Sequence, residues 1–342
     1  MVTIKDIAKK LNLSYSTVSR ALNSSSLVNE KTMKRIQEEA RKMGYTPNAL
    51  ARGLVLKKSG IIGMIIPDIT NPFFPALARG AEDRAVERGY NLLVCNTDWN
   101  IKLETRHLKL IQEKKVDGLI LSSINLENKY LETIIERGYP LVFVSRVYPG
   151  VDVNFVGMDT HYGGYLAGKH LVELGHRKIA FIGGKFSIGS VQGRFLGFLK
   201  ALKESGVEFD RSLAIEGEFN IESGYTRALE LFSSNERITA VFAANDLVAI
   251  GVMKAVRELG LSVPEDVSVV GYDDIFVASI PGVELTTVFQ EKRRMGELAV
   301  DMLLDEINSS LDDKRHGGKA KKKRVILKPR LIVRKTTARR GN

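Results

Sequence analysis

Residues 3–22 read TIKDIAKKLNLSYSTVSRAL, and the spacing of their apolar side chains predicts two short helices. Thr3 followed three residues later by Asp6 is typical of a helix N-terminus, and the apolar residues then recur at helical spacing as far as Leu11. Ser14 stands where it would cap a second helix. Two short helices joined by a tight turn are a helix-turn-helix.

The second helix of this pair is amphipathic. Its apolar residues are expected to face inward, which leaves a polar outer face. That face carries Tyr15, Ser16, Ser19 and Arg20. A third helix is predicted from about Glu30 to Met43, with Gly44 as its stop. Periodicity alone leaves open any small three-helix bundle, so it establishes a helical head and not yet its function.

The net charge of +11 is unevenly distributed along the 342 residues. Residues 1–58 carry 12 basic and 4 acidic side chains, and residues 314–342 carry 13 basic side chains and no acidic one, so the segment between them sums to −10. A basic end is the electrostatic pattern expected for binding a phosphate backbone, although basic ends also serve solubility. The basic tail is interpreted as a solvated surface loop before a final strand, Val325–Leu327, with Leu331–Val333 as a possible continuation.

Apolar runs alternate with amphipathic helical patterns from residue 60 onward. Such alternation predicts parallel sheets with right-handed crossovers. The strand candidates are Ile61–Ile66, Leu92–Cys95, Gly118–Leu121, Leu141–Ser145, Phe155–Met158, Ile179–Ile182, Ala240–Ala243 and Val267–Gly271. So many evenly spaced strands predict two similar lobes. Because ligands of parallel sheets bind beyond the carboxyl ends of the strands, we expect a ligand cleft between the lobes.

Three segments of the head carry a specific resemblance. They are residues 3–8 (TIKDIA), 16–23 (STVSRALN) and 44–52 (GYTPNALAR). Together they closely resemble the DNA-binding head and hinge of the lactose/galactose repressor family. In that family the second helix enters the major groove of DNA, and the resemblance implies DNA contacts from Tyr15, Ser16, Thr17, Ser19 and Arg20. An arginine donates a hydrogen-bond pair to guanine, so Arg20 is the leading candidate for base specificity.

The segment from Asn48 to Leu54 resembles the hinge helix of the same family, which forms on DNA and inserts a leucine into the minor groove. The resemblance implies contacts from Asn48, Ala51 and Leu54. Gly53 lowers helix propensity by about 1 kcal/mol, which suits a segment that becomes ordered only in the complex. The alternative is that the apolar run from Leu54 to Leu56 packs onto the next domain.

Several motifs of the body resemble the same family and the periplasmic sugar-binding proteins. They are residues 67–74 (PDITNPFF), 116–120 (VDGLI), 174–176 (LGH), 244–246 (AND), 271–274 (GYDD) and 285–288 (LTTV). The resemblance implies an effector site built from Phe73, Phe74, Asp159, Arg194, Phe219, Asn245, Asp273 and Gln290.

This set of side chains has the chemistry of a sugar site. Planar carboxylate, amide and guanidinium groups bridge adjacent hydroxyls, and aromatic faces cover the C–H side of a ring. Taken singly, Asn245 and Asp273 could instead cap helices, and the two phenylalanines could belong to the core. Ser145 and Arg146 depart from the family, because relatives often have an acidic ligand contact at that place.

Two other classes of protein remain as alternatives. An enzyme on a doubly wound sheet, such as a dehydrogenase or a sugar kinase, would be expected to carry a Gly-x-Gly-x-x-Gly or a phosphate-binding loop, and neither motif follows the first strand. A solute-binding protein of a transporter would not carry a helix-turn-helix. No signal-peptide pattern follows Met1, so a cytoplasmic location is expected.

The fold prediction is an all-α helix-turn-helix head followed by an α/β body of two doubly wound parallel-sheet lobes of the periplasmic-binding-protein type. The predicted domains are the head (1–46), a hinge and linker (47–59) and the body (60–342). The predicted lobes are residues 60–158 with 291–320, and residues 159–290 with 321–335.

The predicted function is a non-enzymatic transcription regulator, a repressor of sugar-utilisation genes that binds a palindromic operator as a homodimer. A small sugar, with a pentose slightly favoured, is the expected allosteric effector. A purine- or nucleoside-responsive repressor is the alternative. No metal or other cofactor is expected.

Overall fold

A computed structural model describes most of the chain in two compact units, Met1–Ser59 and Gly60–Asn342. The residues that it describes are 2–22, 27–45, 58–113, 116–122, 128–146, 150–233, 237–316 and 322–340. Among these residues, no helix combines the length and the apolar composition needed to cross a membrane.

The described part of the first unit contains the three predicted helices, α1 (Ile4–Leu11), α2 (Tyr15–Leu22) and α3 (Glu30–Lys42). Thr3 and Asp6 form a reciprocal capping box, in which Thr3 N donates to Asp6 Oδ2 at 2.8 Å and Asp6 N donates to Thr3 Oγ1 at 3.4 Å. This arrangement satisfies two of the backbone donors that a helix N-terminus leaves without partners.

The turn between α1 and α2 is tight because Asn12 adopts a left-handed conformation with φ 53°. Asparagine tolerates this region of backbone space better than most residues. The apolar faces of the three helices then close a small common core, which the sequence predicts from their periodicity. Its fully or nearly fully buried members are Ile7, Ala8, Leu11, Val18, Ala21, Ile36 and Ala40.

The second unit contains twelve strands and eight helices within the described residues. The strands are β1 (Ile61–Ile66), β2 (Asn91–Asn96), β3 (Gly118–Leu121), β4 (Leu141–Val144), β5 (Asn154–Met158), β6 (Ile179–Gly183), β7 (Ala214–Glu216), β8 (Ala240–Ala243), β9 (Ser268–Asp273), β10 (Thr286–Phe289), β11 (Arg324–Leu327) and β12 (Arg330–Ile332). The helices are α4 (Phe73–Glu87), α5 (Ile101–Glu113), α6 (Lys129–Glu136), α7 (Thr160–Glu173), α8 (Gly189–Glu204), α9 (Ile221–Ser233), α10 (Asp246–Glu258) and α11 (Lys292–His316).

The strands form two six-stranded sheets, with the orders β11-β5-β4-β3-β1-β2 and β12-β10-β9-β8-β6-β7. Every pairing in the first sheet is parallel, and in the second only β12 runs antiparallel to its neighbour. In the first lobe, α4 and α11 cover one face and α5 and α6 the other. In the second lobe, α9 and α10 cover one face and α7 and α8 the other. The predicted two-lobed parallel architecture is confirmed.

Glycine pairs bring the covering helices unusually close together. At the crossing of α7 and α8, a Cβ added at Gly164 would lie 1.8 Å from the Arg194 carbonyl oxygen, and one added at Gly197 would lie 1.8 Å from the His161 carbonyl oxygen. Only glycine fits such a backbone contact. The close crossing fixes the distance between Arg194 and the second sheet, because the backbone of Arg194 contacts α7 directly.

The chain passes between the lobes at three places, namely β5 to α7, β10 to α11, and β11 to β12. The prediction that residues 321–335 belong to the second lobe is wrong for the first part of this segment: β11 pairs with β5 in the first sheet, and β12 pairs with β10 in the second. The crossing falls at Lys328 and Pro329, where proline has no N–H to continue a ladder.

Two strands of the second sheet are absent from the prediction. β7 is a three-residue edge strand that is only partly buried, so it has no long apolar run. β10 begins with two threonines whose hydroxyls are bonded within the fold: Thr286 Oγ1 lies 3.2 Å from Thr337 Oγ1, and Thr287 donates to Asp246. A search for apolar runs therefore misses this buried strand, because it begins with two polar residues.

Candidate DNA-binding surface and ligand cleft

The outer face of α2 presents the polar side chains that the sequence singles out. Ser14 caps the helix, since Thr17 N donates to Ser14 Oγ at 3.1 Å. Tyr15 is 54% exposed, Ser16 and Arg20 are exposed, and Thr17 and Ser19 are partly buried. A helix that offers a phenol, hydroxyls and a guanidinium on one face has the hydrogen-bonding groups needed to contact base edges and phosphates.

The predicted hinge contacts Asn48, Ala51 and Leu54 lie outside the described residues. Their role therefore stays a prediction from the sequence.

A cavity lies between the two lobes of the body, beyond the carboxyl ends of the parallel strands. Its empty volume is about 360 Å³, part of which is open to solvent. Its lining residues are Asn71, Phe73, Phe74, Trp99, Ser145, Arg146, Ser190, Arg194, Phe219, Asn245 and Asp273. The first six belong to the first lobe and the last five to the second. A molecule in this cavity would therefore contact both lobes.

Arg194 and Asp273 form the charged centre of the cavity. Arg194 Nη2 lies 3.6 Å from Asp273 Oδ1, and both side chains are almost fully buried. The guanidinium is held from two further sides, because it donates to the Ala244 carbonyl and stacks 3.8 Å above the Tyr272 ring. Arg194 Nε is buried and has no hydrogen-bond partner within the described part of the chain. Such a donor costs free energy unless a bound molecule satisfies it.

Two buried carboxyl groups, those of Asp273 and Asp246, lie near each other at the carboxyl end of β9. Burial raises the pKa of Asp273, although Arg194 and Lys292 oppose the rise. Burial, with a further contribution from Asp273, raises the pKa of Asp246 well above its usual value. Asp246 accepts from Thr287 Oγ1 and from Ile275 N, the latter at 2.7 Å. Asp246 therefore holds β10 and the segment after β9 together. Of the two carboxyl groups, only Asp273 lines the cavity.

The crossover from β10 to α11 is tied to the same carboxyl. Gln290 Nε2 donates to Asp273 Oδ1 at 2.5 Å. Lys292 Nζ donates to the backbone carbonyls of Asp273 and, at 2.8 Å, of Asp274. One of the three lobe connections is thus held directly by a residue that lines the cavity.

Aromatic side chains supply the apolar walls. Phe73 and Phe74 meet edge to face at 5.0 Å, and with 3% and 6% exposure they belong largely to the core of the first lobe. Trp99 and Phe219 are stacked across the cleft, with ring centroids 5.2 Å apart and an interplanar angle of 19°. The Arg146 guanidinium lies 4.5 Å from the centre of the Trp99 ring.

Six of the eight predicted effector residues line the cavity, and two do not. Asp159 caps α7, because Tyr162 N donates to its Oδ1 at 2.8 Å. Gln290 stands behind Asp273. Asn245 lines the cavity and also caps α10, accepting from Val248 N at 2.9 Å, so its role as a cap is confirmed and its contact with an effector stays a prediction.

Sequence reasoning missed three lining residues, Asn71, Trp99 and Ser190. Asn71 lies inside the quoted PDITNPFF motif and could have been chosen for its amide group. Trp99 and Ser190 lie in a loop and in a first helical turn, and no local pattern marks them. Ser145 and Arg146, noted only as departures from the family, also line the cavity.

Backbone strain is concentrated at the cavity. Seven non-glycine residues of the described chain have positive φ, and three of them line the cavity: Trp99 at 58°, Ser145 at 69° and Asp273 at 111°. Such conformations cost about 1–3 kcal/mol each and persist only where the surroundings impose them. The three residues come from three different strand ends, so the strain belongs to the cavity as a whole.

Comparison with known proteins identifies both units. Residues 3–48 match the family model of bacterial regulatory proteins of the lacI family, and residues 169–337 match a periplasmic binding protein-like domain. The chain is 36% identical over 340 residues to the HTH-type transcriptional regulator DegA of Bacillus subtilis, covering 98% of each protein. It is 35% identical over 340 residues to the transcriptional repressor PurR of Edwardsiella ictaluri, covering 99% of this chain and 97% of the relative.

Solved structures agree with this assignment. The lac repressor dimer bound to operator and the anti-inducer ONPF matches with a TM-score of 0.87 at 29% identity, covering 98% of this chain and 99% of the other. A LacI family regulator of Enterococcus faecium with bound ribose matches with a TM-score of 0.71 at 31% identity, covering 82% of this chain and all of the other. The chain therefore belongs to the lacI family of bacterial regulatory proteins and is a DNA-binding transcriptional regulator.

Proposed function

We propose that this regulator is a repressor of sugar-utilisation genes, and that a small sugar bound between its lobes controls its affinity for an operator. The observation that carries the proposal is the cavity, where Arg194, Asn245 and Asp273 meet aromatic walls from both lobes. The bound ribose in the Enterococcus faecium relative supports a sugar.

The polar groups suit a polyhydroxyl ligand. A guanidinium and a carboxylate side by side donate to one hydroxyl and accept from its neighbour, and the Asn245 amide offers both functions. The Phe219 ring would cover an apolar C–H face.

We propose that α2 reads the operator. Arg20, Tyr15 and Ser16 would contact base edges, while Thr17 and Ser19 would contact phosphates. In the hinge, Asn48 and Ala51 would contact the minor groove and Leu54 would insert between base steps. The operator would be palindromic and the protein a homodimer in the cytoplasm, which the operator-bound dimer of the lac repressor and the regulator names of the relatives support. We propose no catalytic activity for the chain.

In this proposal, control is a shift between two lobe arrangements. Because Gln290 and Lys292 hold the β10–α11 connection to Asp273, a ligand that engages Asp273 acts on a segment joining the lobes. A ligand shifts the balance only by as much as it prefers one arrangement over the other.

A purine or nucleoside is the second candidate for the effector. The match to the PurR repressor favours it, and so do the aromatic side chains of the cavity, which would stack on a base.

A thermal-shift screen of the full chain against pentoses, hexoses, disaccharides, nucleosides and nucleobases tests the proposal. A compound present at 100 times its dissociation constant adds about 2.7 kcal/mol of stability. The stabilising compound is then added to the protein bound to duplexes selected from a random pool. Stabilisation by a sugar together with a changed DNA affinity supports the proposal. Stabilisation by a purine alone favours the second candidate, and a compound that leaves DNA affinity unchanged contradicts effector control.

A further inference from the structure

Trp99 is the one tryptophan of the 342 residues, and its backbone is held in an unusual conformation. It follows β2 with φ 58°, directly after Asp98 with φ 49°. Its N–H donates to the Pro67 carbonyl at 3.2 Å, which ties it to the loop after β1. Two consecutive residues in the left-handed region are sterically unfavourable, so the loop is held there by its surroundings and not by local preference.

The indole ring of Trp99 makes contacts in both lobes. On the first lobe, the Arg146 guanidinium lies 4.5 Å from the ring centre. On the second lobe, the Phe219 ring stacks at 5.2 Å and 19°. The stack therefore joins the two lobes across the cavity mouth.

Phe219 contacts two residues of its own lobe, Gly184 and Asn245. A Cβ added at Gly184 would lie 2.3 Å from Phe219 Cζ, so the glycine makes room for the ring. Asn245 Nδ2 donates to the Phe219 carbonyl at 3.2 Å, which links the ring's backbone to the residue that caps α10.

We propose that Trp99 and Phe219 are the two walls of a slot for the ring of the effector, and that they close on each other when the slot is empty. This inference rests on the proposed effector function. A ring inserted between two flat faces needs about 7 Å between them, since each contact takes about 3.5 Å. The two rings are stacked with their centroids 5.2 Å apart, which leaves no room for a third ring between their faces, so entry of a ring requires Trp99 and Phe219 to move apart.

The slot selects the chemical class of the ligand. Its walls accept a flat or nearly flat ring with apolar faces, while Arg194, Asn245 and Asp273 line the same cavity and meet the polar edge of the ring. Ring sugars and purine bases meet both requirements, and the titrations below distinguish them. Open-chain polyols meet only the second, so they are expected to bind at least tenfold more weakly than the matching ring sugar.

The empty slot is tested without any ligand through the fluorescence of Trp99. Phe219→Ala in the full chain is expected to raise the Stern–Volmer constant for acrylamide quenching at least twofold, because the stacked ring shields the indole. Phe276→Ala is the control, since Phe276 is 72% exposed and does not line the cavity. Circular dichroism checks the fold, and Phe219→Leu replaces the alanine variant if that variant unfolds. An unchanged constant in a folded Phe219 variant overturns the stack.

The occupied slot is tested with D-ribose, D-glucose, cellobiose and hypoxanthine, and with D-ribitol as the open-chain comparison. Each compound is titrated while Trp99 emission and thermal stability are followed together. A stabilising compound is expected to change the emission, and Trp99→Ala is expected to weaken its binding at least tenfold, with Trp99→Phe restoring most of the affinity. Stabilisation with unchanged emission overturns the slot and leaves effector binding intact. A panel without any stabilising compound contradicts the proposed function instead, and the acrylamide comparison then decides whether the stack exists.

Discussion

Gln290 Nε2 donates to Asp273 Oδ1 over 2.5 Å, which joins a lobe connection to a carboxyl that lines the cavity. Both side chains are buried, at 2% and 4% exposure. A ligand that bonds Asp273 therefore competes with, or adds to, a contact that holds the connection in place.

Replacing Gln290 by alanine is expected to destabilise the body by about 1–3 kcal/mol, because the buried Asp273 carboxyl loses a hydrogen-bond donor. Urea unfolding of the full chain measures the loss. Gln192→Ala is the matched control, since Gln192 is exposed on α8 of the same lobe and is expected to change stability by less than about 0.5 kcal/mol. Equal free energies of unfolding for the two variants would show that the Gln290–Asp273 hydrogen bond does not stabilise the body.

Arg20→Ala is expected to lose sequence preference by about 1–3 kcal/mol at the base pair that Arg20 reads, while ligand binding stays unchanged. Competition between the selected duplex and its point-substituted versions measures the preference. Lys42→Ala, at the end of α3, is the control for loss of a positive charge and is expected to weaken binding to all duplexes alike, if at all. An Arg20→Ala protein that still discriminates among the duplexes would remove Arg20 from base readout.

Gly164→Ala is expected to destabilise the second lobe by about 1–3 kcal/mol or more and to weaken ligand binding, because the new methyl group collides with the Arg194 carbonyl oxygen at 1.8 Å. Gly168→Ala, on the same helix, places its methyl group 3.0 Å from Ala201 Cβ, from Phe198 Cδ2 and from the Phe198 carbonyl oxygen, and serves as the graded comparison because these contacts are longer. Thermal unfolding and ligand titration are both measured. The prediction is contradicted if the two variants behave alike.

Thr336→Val is expected to destabilise the second lobe by about 1–3 kcal/mol, because the Thr336 hydroxyl donates to the Val269 carbonyl at 2.7 Å and accepts from Thr286 N at 2.9 Å. The residue is 2% exposed, so water does not replace these partners. Thr226→Val on the exposed face of α9 is the control for the change of side chain. Urea unfolding compares the Thr336 and Thr226 variants. Equal midpoints would mean that the segment after β12 contributes little to the stability of the second lobe.

His176 is expected to make the second lobe sensitive to acid. It is 3% exposed, and its ring nitrogens lie 3.0 Å from Thr239 Oγ1 and 3.0 Å from Ser268 Oγ. Burial holds the pKa of His176 below its usual 6.5, and Arg340 adds to this while the Ala338 carbonyl opposes it. The unfolded chain therefore takes up the proton first, so stability is full above about pH 6.5 and falls as the pH drops below it.

The measurement is thermal unfolding at pH 7.5 and pH 5.5 for the wild type and for His176→Gln. The buried Asp246 and Asp273, whose pKa values are raised, change stability in the opposite direction, so the difference between the two proteins is the quantity to follow. The wild type is expected to lose more stability on acidification than the variant, by up to about 1.4 kcal/mol for each unit of pKa lowering. An identical acid dependence would exclude His176 as the cause.

The fold is largely predictable where local pattern determines structure. The head helices follow from periodicity and from the Thr3–Asp6 cap, and most strands of the body are continuous apolar runs. The strands β11 and β12 are themselves predicted, but the sheet that each one joins is not, because that sheet is set by pairing with β5 and β10, which are distant in sequence. Local sequence holds no information about that choice.

The cavity is predictable only where family motifs mark it. Arg194, Asn245 and Asp273 follow from the resemblance, whereas Trp99 does not. Its position depends on a strained loop, on Arg146 from another strand end and on Phe219 from the other lobe. Contacts of this kind are properties of the assembled body, and they decide how the cavity closes.

The arrangement of β11 and β12 also bears on the order in which the protein forms during synthesis. The head needs only residues up to about 45 for its core, so it is able to fold while most of the body is still unmade. The first sheet lacks its last strand until residue 327 has left the ribosome, and the second sheet lacks its last strand until residue 332 has done so. A nascent chain therefore carries a finished DNA-reading head on an incomplete sensor, and both lobes reach completion together when the same short segment docks.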